Sequence, residues 1–419
     1  MFQLPRGTRD FIPDEMFKRN LIEKNMRSTF EKFGYREIQT PIFETLELFK
    51  AKSGDAIIDE IYSFTDKGGR ELALRPELTA PVIRMYVDKL QMEPKPLKLF
   101  YFGNCYRYDR PQQGRYREFK QAGCEIIGTN TAEALSELIA MSYKILENTG
   151  LKNINLNIGN LKILKSIFKK INLTNDQQKY IIPLIDKSLY EDLFKALKDF
   201  KIDAKDADLF IKIIDTSDFE EIKRFVKDDK TLTEELKTFE MVISNLKEIY
   251  EIKNLKIKMG IVRGLDYYTD IVFEIEAPKL GAEKQICGGG AYELVSLFGG
   301  NKTLTLGFAI GFDRTILALE SEDYIFPTPK LDMFVIPVND DMIKKSLEIT
   351  QKLRNQGASV DIDLLRRGLS KSLKYASSIN AKKVIIVGPK ELDKDSVTIR
   401  DMENGKQENV KIKNIYQSI

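Results

Sequence analysis

Arg107-Tyr-Asp-Arg-Pro-Gln-Gln-Gly-Arg-Tyr-Arg-Glu-Phe119 is the stretch on which the fold turns. It joins two β-prone runs, Leu97–Arg107 and Glu118–Ile127, and Asp109-Arg-Pro-Gln-Gln-Gly114 carries turn residues. The pattern predicts a hairpin with a long basic loop. Four arginines surround the turn. A plain exposed basic hairpin is one reading. Phosphate binding is the other: Arg107 projects from one strand, Arg115 and Arg117 reach from the far side, and Phe119 offers a stacking face for a base.

Further stretches carry chemistry. Leu306-Gly-Phe-Ala-Ile-Gly-Phe-Asp-Arg314 is a strand of small residues that lets backbone approach a ligand, with Arg314 opening a helix toward phosphate. Leu74-Arg-Pro-Glu-Leu-Thr79 spaces an acid and a hydroxyl two apart, which on a strand share one face. Glu125 lies between Cys124 and Ile126 in an apolar run, either as a surface strand residue or as a buried acceptor for a ring N–H. Arg263-Gly-Leu-Asp-Tyr-Tyr-Thr269 runs into Ile271-Val-Phe-Glu274. A guanidinium fork beside two phenols suits a small, partly aromatic ligand joined to a phosphate; an edge strand with a core Tyr pair is the plainer reading. Cys287-Gly-Gly-Gly-Ala-Tyr292 reads as a phosphate nest or a tight bend.

Composition narrows the chemistry. The 419 residues suggest two or three domains at roughly 150 residues each. A 42% hydrophobic content is ample for more than one core. No apolar run reaches membrane-spanning length, and Met1-Phe-Gln-Leu-Pro-Arg6 lacks a signal region. Three scattered cysteines fit a reducing cytoplasm. A net charge of +3 confines any nucleic-acid binding to local patches. The chain has no histidine, which excludes a His general base, a Ser-His-Asp triad and His metal ligands. Carboxylates, Arg, Lys, Tyr, backbone dipoles or a hard cation such as Mg²⁺ remain, a set suited to phosphoryl and adenylyl transfer.

The periodicity predicts a helix over Pro13–Phe33 with Ile22, Met26, Thr29 and Phe33 on one face, stopped by Gly34, then an edge strand Tyr35–Pro41. Residues 151–258 are Lys-, Ile- and Leu-rich with helical spacing, an inserted domain whose lysines form a solvated face or meet tRNA. After the linker Ile325–Pro329, strands at 333–338, 359–364 and 383–387 alternate with helices, implying a small α/β domain with a largely parallel sheet.

Taken together these stretches resemble the histidyl-tRNA synthetases, class IIa aminoacyl-tRNA synthetases of the archaeal and bacterial type, over nearly the whole chain. The resemblance implies an α+β catalytic domain with an antiparallel sheet (1–150 and 259–325), a helical insertion (151–258) and a C-terminal α/β anticodon-binding domain (330–419). It assigns the opening helix and strand to a homodimer interface. It implies that Arg107 holds the ATP α-phosphate and the amino acid carboxylate. Arg115 and Arg314 would reach the terminal phosphates and Phe119 would stack on adenine. Asp109 stands where the family has Glu for an adenine contact. Glu77 and Thr79 would bind the ammonium group of histidine, with Gln121 near its carboxylate. Arg263 would join Arg107 in catalysis. Glu125 and Tyr268 would serve the two imidazole nitrogens, with Tyr267 and Tyr292 completing the histidine pocket. Ala291 replaces a common Arg. ATP with Mg²⁺, L-histidine and histidine tRNA are the implied substrates and partners, in the cytoplasm. The Mg²⁺ ligands are left open. Two other readings stand beside this one: a silent paralogue serving as regulatory subunit of ATP phosphoribosyltransferase, which usually lacks the anticodon domain, and a tRNA-sensing module. The lack of histidine has three candidate origins: an advantage when charged histidine tRNA is scarce, drift toward Lys, Ile and Asn, or deliberate removal.

Overall fold

The computed structural model describes residues 2–53, 55–110, 112–226, 230–262 and 268–415. The chain divides into two units, residues 1–324 and 325–419.

The larger unit is built on eight strands in the order Arg36–Glu37, Leu97–Tyr106, Glu118–Ile127, Thr305–Gly311, Gln285–Tyr292, Tyr268–Glu276, Asn155–Asn160 and Leu255–Ile257. The six central strands pair antiparallel; only the two edge pairs are parallel. The long hairpin occurs as expected, Leu99 facing Glu125 and Cys105 facing Phe119.

The first helix spans Pro13–Lys32. Pro13 needs no N–H there, and Glu15 accepts from the Ile12 amide at 2.9 Å. Ile22, Met26 and Phe30 are fully buried, each worth about 2 kcal/mol of transfer free energy. Phe30 stacks on Phe100 at 4.9 Å and on Phe308 at 6.0 Å, so the helix lies on the sheet. Phe33 was expected on this face, but the helix ends at Lys32 and Phe33 is only half-buried at its C-cap. Gly34 takes a left-handed φ of 78° that ends the helix without a Cβ penalty.

The expected insertion begins and ends in strands. Asn155–Asn160 and Leu255–Ile257 hydrogen-bond into the main sheet, and the helices run between them from Leu161 to Ser244. The short β run was masked by helical periodicity on either side. Lys162 ties the insertion to the sheet, 2.8 Å from Glu235 and 2.9 Å from Asp270. Burial first, then the facing Glu235, pushes the Asp270 carboxyl up to about 7.

The smaller unit has five strands in the order Val360–Ile362, Leu331–Pro337, Ala381–Val387, Ser396–Asp401 and Gln407–Lys411. The first three are parallel and the last two antiparallel, so the sheet is mixed where a largely parallel one was expected. Gln407–Lys411 is polar, which hid it from a hydrophobic-pattern reading. Helices Ile343–Asn355 and Leu369–Ser378 contribute to apolar cores formed around Val335 and Phe334 respectively.

Candidate active site

A cavity of about 1050 Å³ opens on the larger sheet and gathers residues from distant parts of the chain. Glu77, Thr79, Arg107, Asp109, Arg115, Phe119, Gln121, Tyr268, Tyr292 and Arg314 all line it. Arg263 and Tyr267 lie outside the described residues.

One end is cationic. Arg107 follows its strand directly; its Nε donates to the Pro76 carbonyl at 3.0 Å and its guanidinium lies 5.3 Å from the Phe119 ring centre. The loop turns back through paired backbone bonds between Gln112 and Arg115, with Gly114 at φ 79°. Arg115 reaches Glu283 at 3.1 Å. Arg314 lies in the first turn of the helix Phe312–Ser321 and meets Glu283 at 2.8 Å, and its Nε donates to the Gly114 carbonyl at 3.0 Å. Arg117 departs from expectation. Its guanidinium packs 4.1 Å from the Tyr108 ring centre, its Nε donates to the Asp109 carbonyl, and its backbone N–H binds Gly7. Asp313, the neighbour of Arg314, pairs instead with Arg9 at 2.8 Å and Arg19 at 2.6 Å. Arg9 also lies 3.4 Å from the Tyr116 ring centre, so the chain start braces the hairpin loop.

The other end centres on a buried carboxyl and its hydroxyl partners. Glu125 is fully buried beneath the cavity wall. It accepts from the Tyr292 hydroxyl at 2.5 Å and the Tyr101 hydroxyl at 2.9 Å, and Thr79 also hydrogen-bonds to it. Burial pushes its carboxyl up to about 8, against the pull of those three hydroxyls. The surface-residue reading of Glu125 is thereby excluded. Tyr292 pairs with Tyr268 across adjacent strands. Gln121 accepts from the Cys105 thiol at 3.3 Å.

Glu77 and Thr79 come together differently from the expected shared strand face. The strand ends at Leu74, before Pro76, and Thr79 starts the helix Thr79–Met85. Glu77 accepts from the Ala80 amide at 3.1 Å and pairs with Lys52 at 2.6 Å. Cys287–Tyr292 is neither nest nor bend but part of the central strand Gln285–Tyr292. Its glycines serve close packing: a Cβ on Gly289 would stand 2.3 Å from the Gly307 carbonyl. Tyr101, Lys52 and Glu283 were missed. Each acts through a neighbour distant in sequence, and no motif flagged them. Among the described residues no group of three or more acids, cysteines or histidines is placed to hold a metal. Glu274 and Glu276, two apart on one strand, both line the cavity.

A family profile described as "Histidyl-tRNA synthetase" matches residues 7–315, and one described as "Anticodon binding domain" matches residues 332–419. The histidine–tRNA ligase of Methanocaldococcus jannaschii is 44% identical over 416 residues, covering 97% of each chain. That of Pyrococcus furiosus is 40% identical over 431 residues, covering 100% of this chain and 98% of the other. Among solved structures, apo Staphylococcus aureus histidyl-tRNA synthetase aligns with a TM-score of 0.74 and 28% identity, covering 100% of this chain and 99% of that one. The enzyme from Nostoc sp. PCC 7120 aligns with a TM-score of 0.84 at 23% identity, covering 100% of both, a likeness of fold alone.

Proposed function

The chain belongs to the histidyl-tRNA synthetase family, and from that premise we propose how its residues divide the work. The activity is ATP-dependent ligation of histidine to tRNA. The regulatory-paralogue reading is not favoured, since residues 332–419 match an anticodon-binding domain.

Histidine enters with its ring toward Tyr292, Tyr268 and the buried Glu125, and its ammonium group toward Glu77 and Thr79. Gln121 lies by its carboxylate. Arg107 and Arg263 hold that carboxylate against the α-phosphate, so attack costs little further freedom of motion. A carboxylate oxygen bonds to the α-phosphorus, the bond to the bridging oxygen breaks, and pyrophosphate leaves with the electron pair. The carboxylate is already a nucleophile, so the absence of histidine side chains is no handicap. The same arginines neutralise charge at the pentavalent phosphorus. Arg115 and Arg314 guide the pyrophosphate, and Phe119 stacks on the adenine beside Asp109. A terminal ribose hydroxyl of tRNA then attacks the acyl carbon, the bond from that carbon to the phosphate oxygen breaks, and AMP departs with the electron pair, its phosphate taking the hydroxyl proton.

Mg²⁺ fits this site. It binds through one or two carboxylates plus substrate phosphates, and Glu274 and Glu276 would hold it. It would supply charge neutralisation on the triphosphate. We assign 1–150 with 259–325 to catalysis, 151–258 to the insertion and 330–419 to anticodon binding, in a cytoplasmic homodimer.

The observation that carries the reading is a buried carboxyl bonded to two phenols at one end of a cavity whose other end holds three arginines. The test is ATP–pyrophosphate exchange with each amino acid in turn. Exchange with histidine alone is expected; exchange supported by another amino acid, or by none, would refute it.

A further inference from the structure

Glu283 closes the short turn Pro278–Glu283 between two central strands. Its carboxylate sits between the two cations assigned above to the terminal phosphates, 3.1 Å from Arg115 Nε and 2.8 Å from Arg314 Nη2. Gln112 Nε2 donates to the same acid at 3.0 Å. One acid thus joins the tip of the basic loop to the helix that carries Arg314. Arg314 Nη1 also donates to the Gln285 carbonyl at 2.9 Å, so its own position does not depend on Glu283 alone. Glu283 is 20% exposed and lines the cavity, within reach of an incoming anion. A carboxylate and a phosphate offer guanidinium the same pair of acceptor oxygens.

We propose that Glu283 is an internal stand-in for the terminal phosphates of ATP, holding Arg115, Gln112 and Arg314 together in the nucleotide-free protein and yielding them to the polyphosphate. The proposal rests on the ATP-site reading above. Binding exchanges one anion for another, so the arginines are never left unpaired. The cost is affinity, because ATP must displace a resident acid. On the return path the acid competes with pyrophosphate and favours its release. Two cations facing one carboxylate keep a net attraction for a polyanion.

The opposite role is also testable: an acid that merely aims the arginines would strengthen nucleotide binding. Glu283→Gln keeps the volume and removes the charge, and Glu283→Ala removes both. Calorimetric titration with inorganic pyrophosphate and Mg²⁺ measures the competition directly. The Kd is expected to fall roughly three- to tenfold in both variants, the range for losing two partly exposed ion pairs. In pyrophosphate exchange the KM for ATP should fall in parallel while the KM for histidine stays parental, a split that general loosening would not produce. An unchanged or raised pyrophosphate Kd in Glu283→Gln overturns the proposal, whatever the behaviour of Glu283→Ala. Failure of the parent protein to exchange with histidine would instead overturn the substrate reading, and the pyrophosphate comparison would still stand.

Discussion

In the proposed reading, Glu125 concentrates the choice of substrate in one side chain. With its carboxyl raised to about 8, it holds its proton at neutral pH in the ligand-free protein. An imidazole N–H favours the ionised form, so histidine binding near pH 7 should release a proton, read by calorimetry in buffers of differing ionisation enthalpy. Stability carries the same signature. Below the ordinary value of 4.5 folded and unfolded chains both hold the proton; between 4.5 and about 8 only the folded chain does. The group therefore withdraws stability as pH rises through that window. Glu125→Gln should flatten this part of the Tm-versus-pH curve relative to the parent. The same variant should raise the KM for histidine strongly and leave the KM for ATP nearly alone, since an unpaired polar group can reject a ligand by about 10⁴-fold. Parental KM values for both substrates would place imidazole recognition elsewhere. Arg263→Ala should leave a folded protein whose kcat for adenylation is lower by on the order of 10²-fold. An acid within an apolar strand was readable as Glu125; its partner Tyr101 was not, because cross-strand pairing depends on register that only the folded sheet fixes.

At the scale of elements, the glycines of Gln285–Tyr292 and Thr305–Gly311 set how closely two strands approach. Leu306–Gly311 is legible as a strand because apolar residues separate its glycines, whereas Cys287–Tyr292 reads as a nest or a bend because an unbroken glycine run carries no side-chain pattern from which to infer a strand. The hairpin was readable because turn residues punctuated two β-prone runs. Gly307 faces Glu125 directly: a Cβ there would stand 1.8 Å from Oε2 and 2.9 Å from the Cys124 carbonyl. Gly307→Ala is thus expected to push the carboxylate out of its bonds to Tyr101 and Tyr292. Overpacking of this kind costs about 1–3 kcal/mol. Thermal unfolding should show that loss, and the KM for histidine should rise far more than the KM for ATP. Equal rises in both would mean the sheet, not the ring pocket, had failed.

At the scale of the whole molecule, the division near Tyr324 gives the proposed separation of chemistry from tRNA selection a direct test. A chain ending at Ser321 should retain pyrophosphate exchange and lose most tRNA charging, measured at one tRNA concentration. Equal charging by both proteins would count against an anticodon role for the C-terminal unit. The boundary was legible from the Pro-rich linker; the strands bracketing the insertion were not, since each is short and its partners lie far away in sequence. That topology also bears on synthesis at the ribosome. Glu118–Ile127 takes its second neighbour from Thr305–Gly311, so the hairpin must wait with one edge unpaired while the whole insertion is translated. Local helices between the two can fold as they emerge, whereas the central seam closes only after residue 311 leaves the exit tunnel. The nascent chain is therefore most open to misassembly late in elongation, and synonymous codons that slow translation just beyond this point would give the sheet time to close.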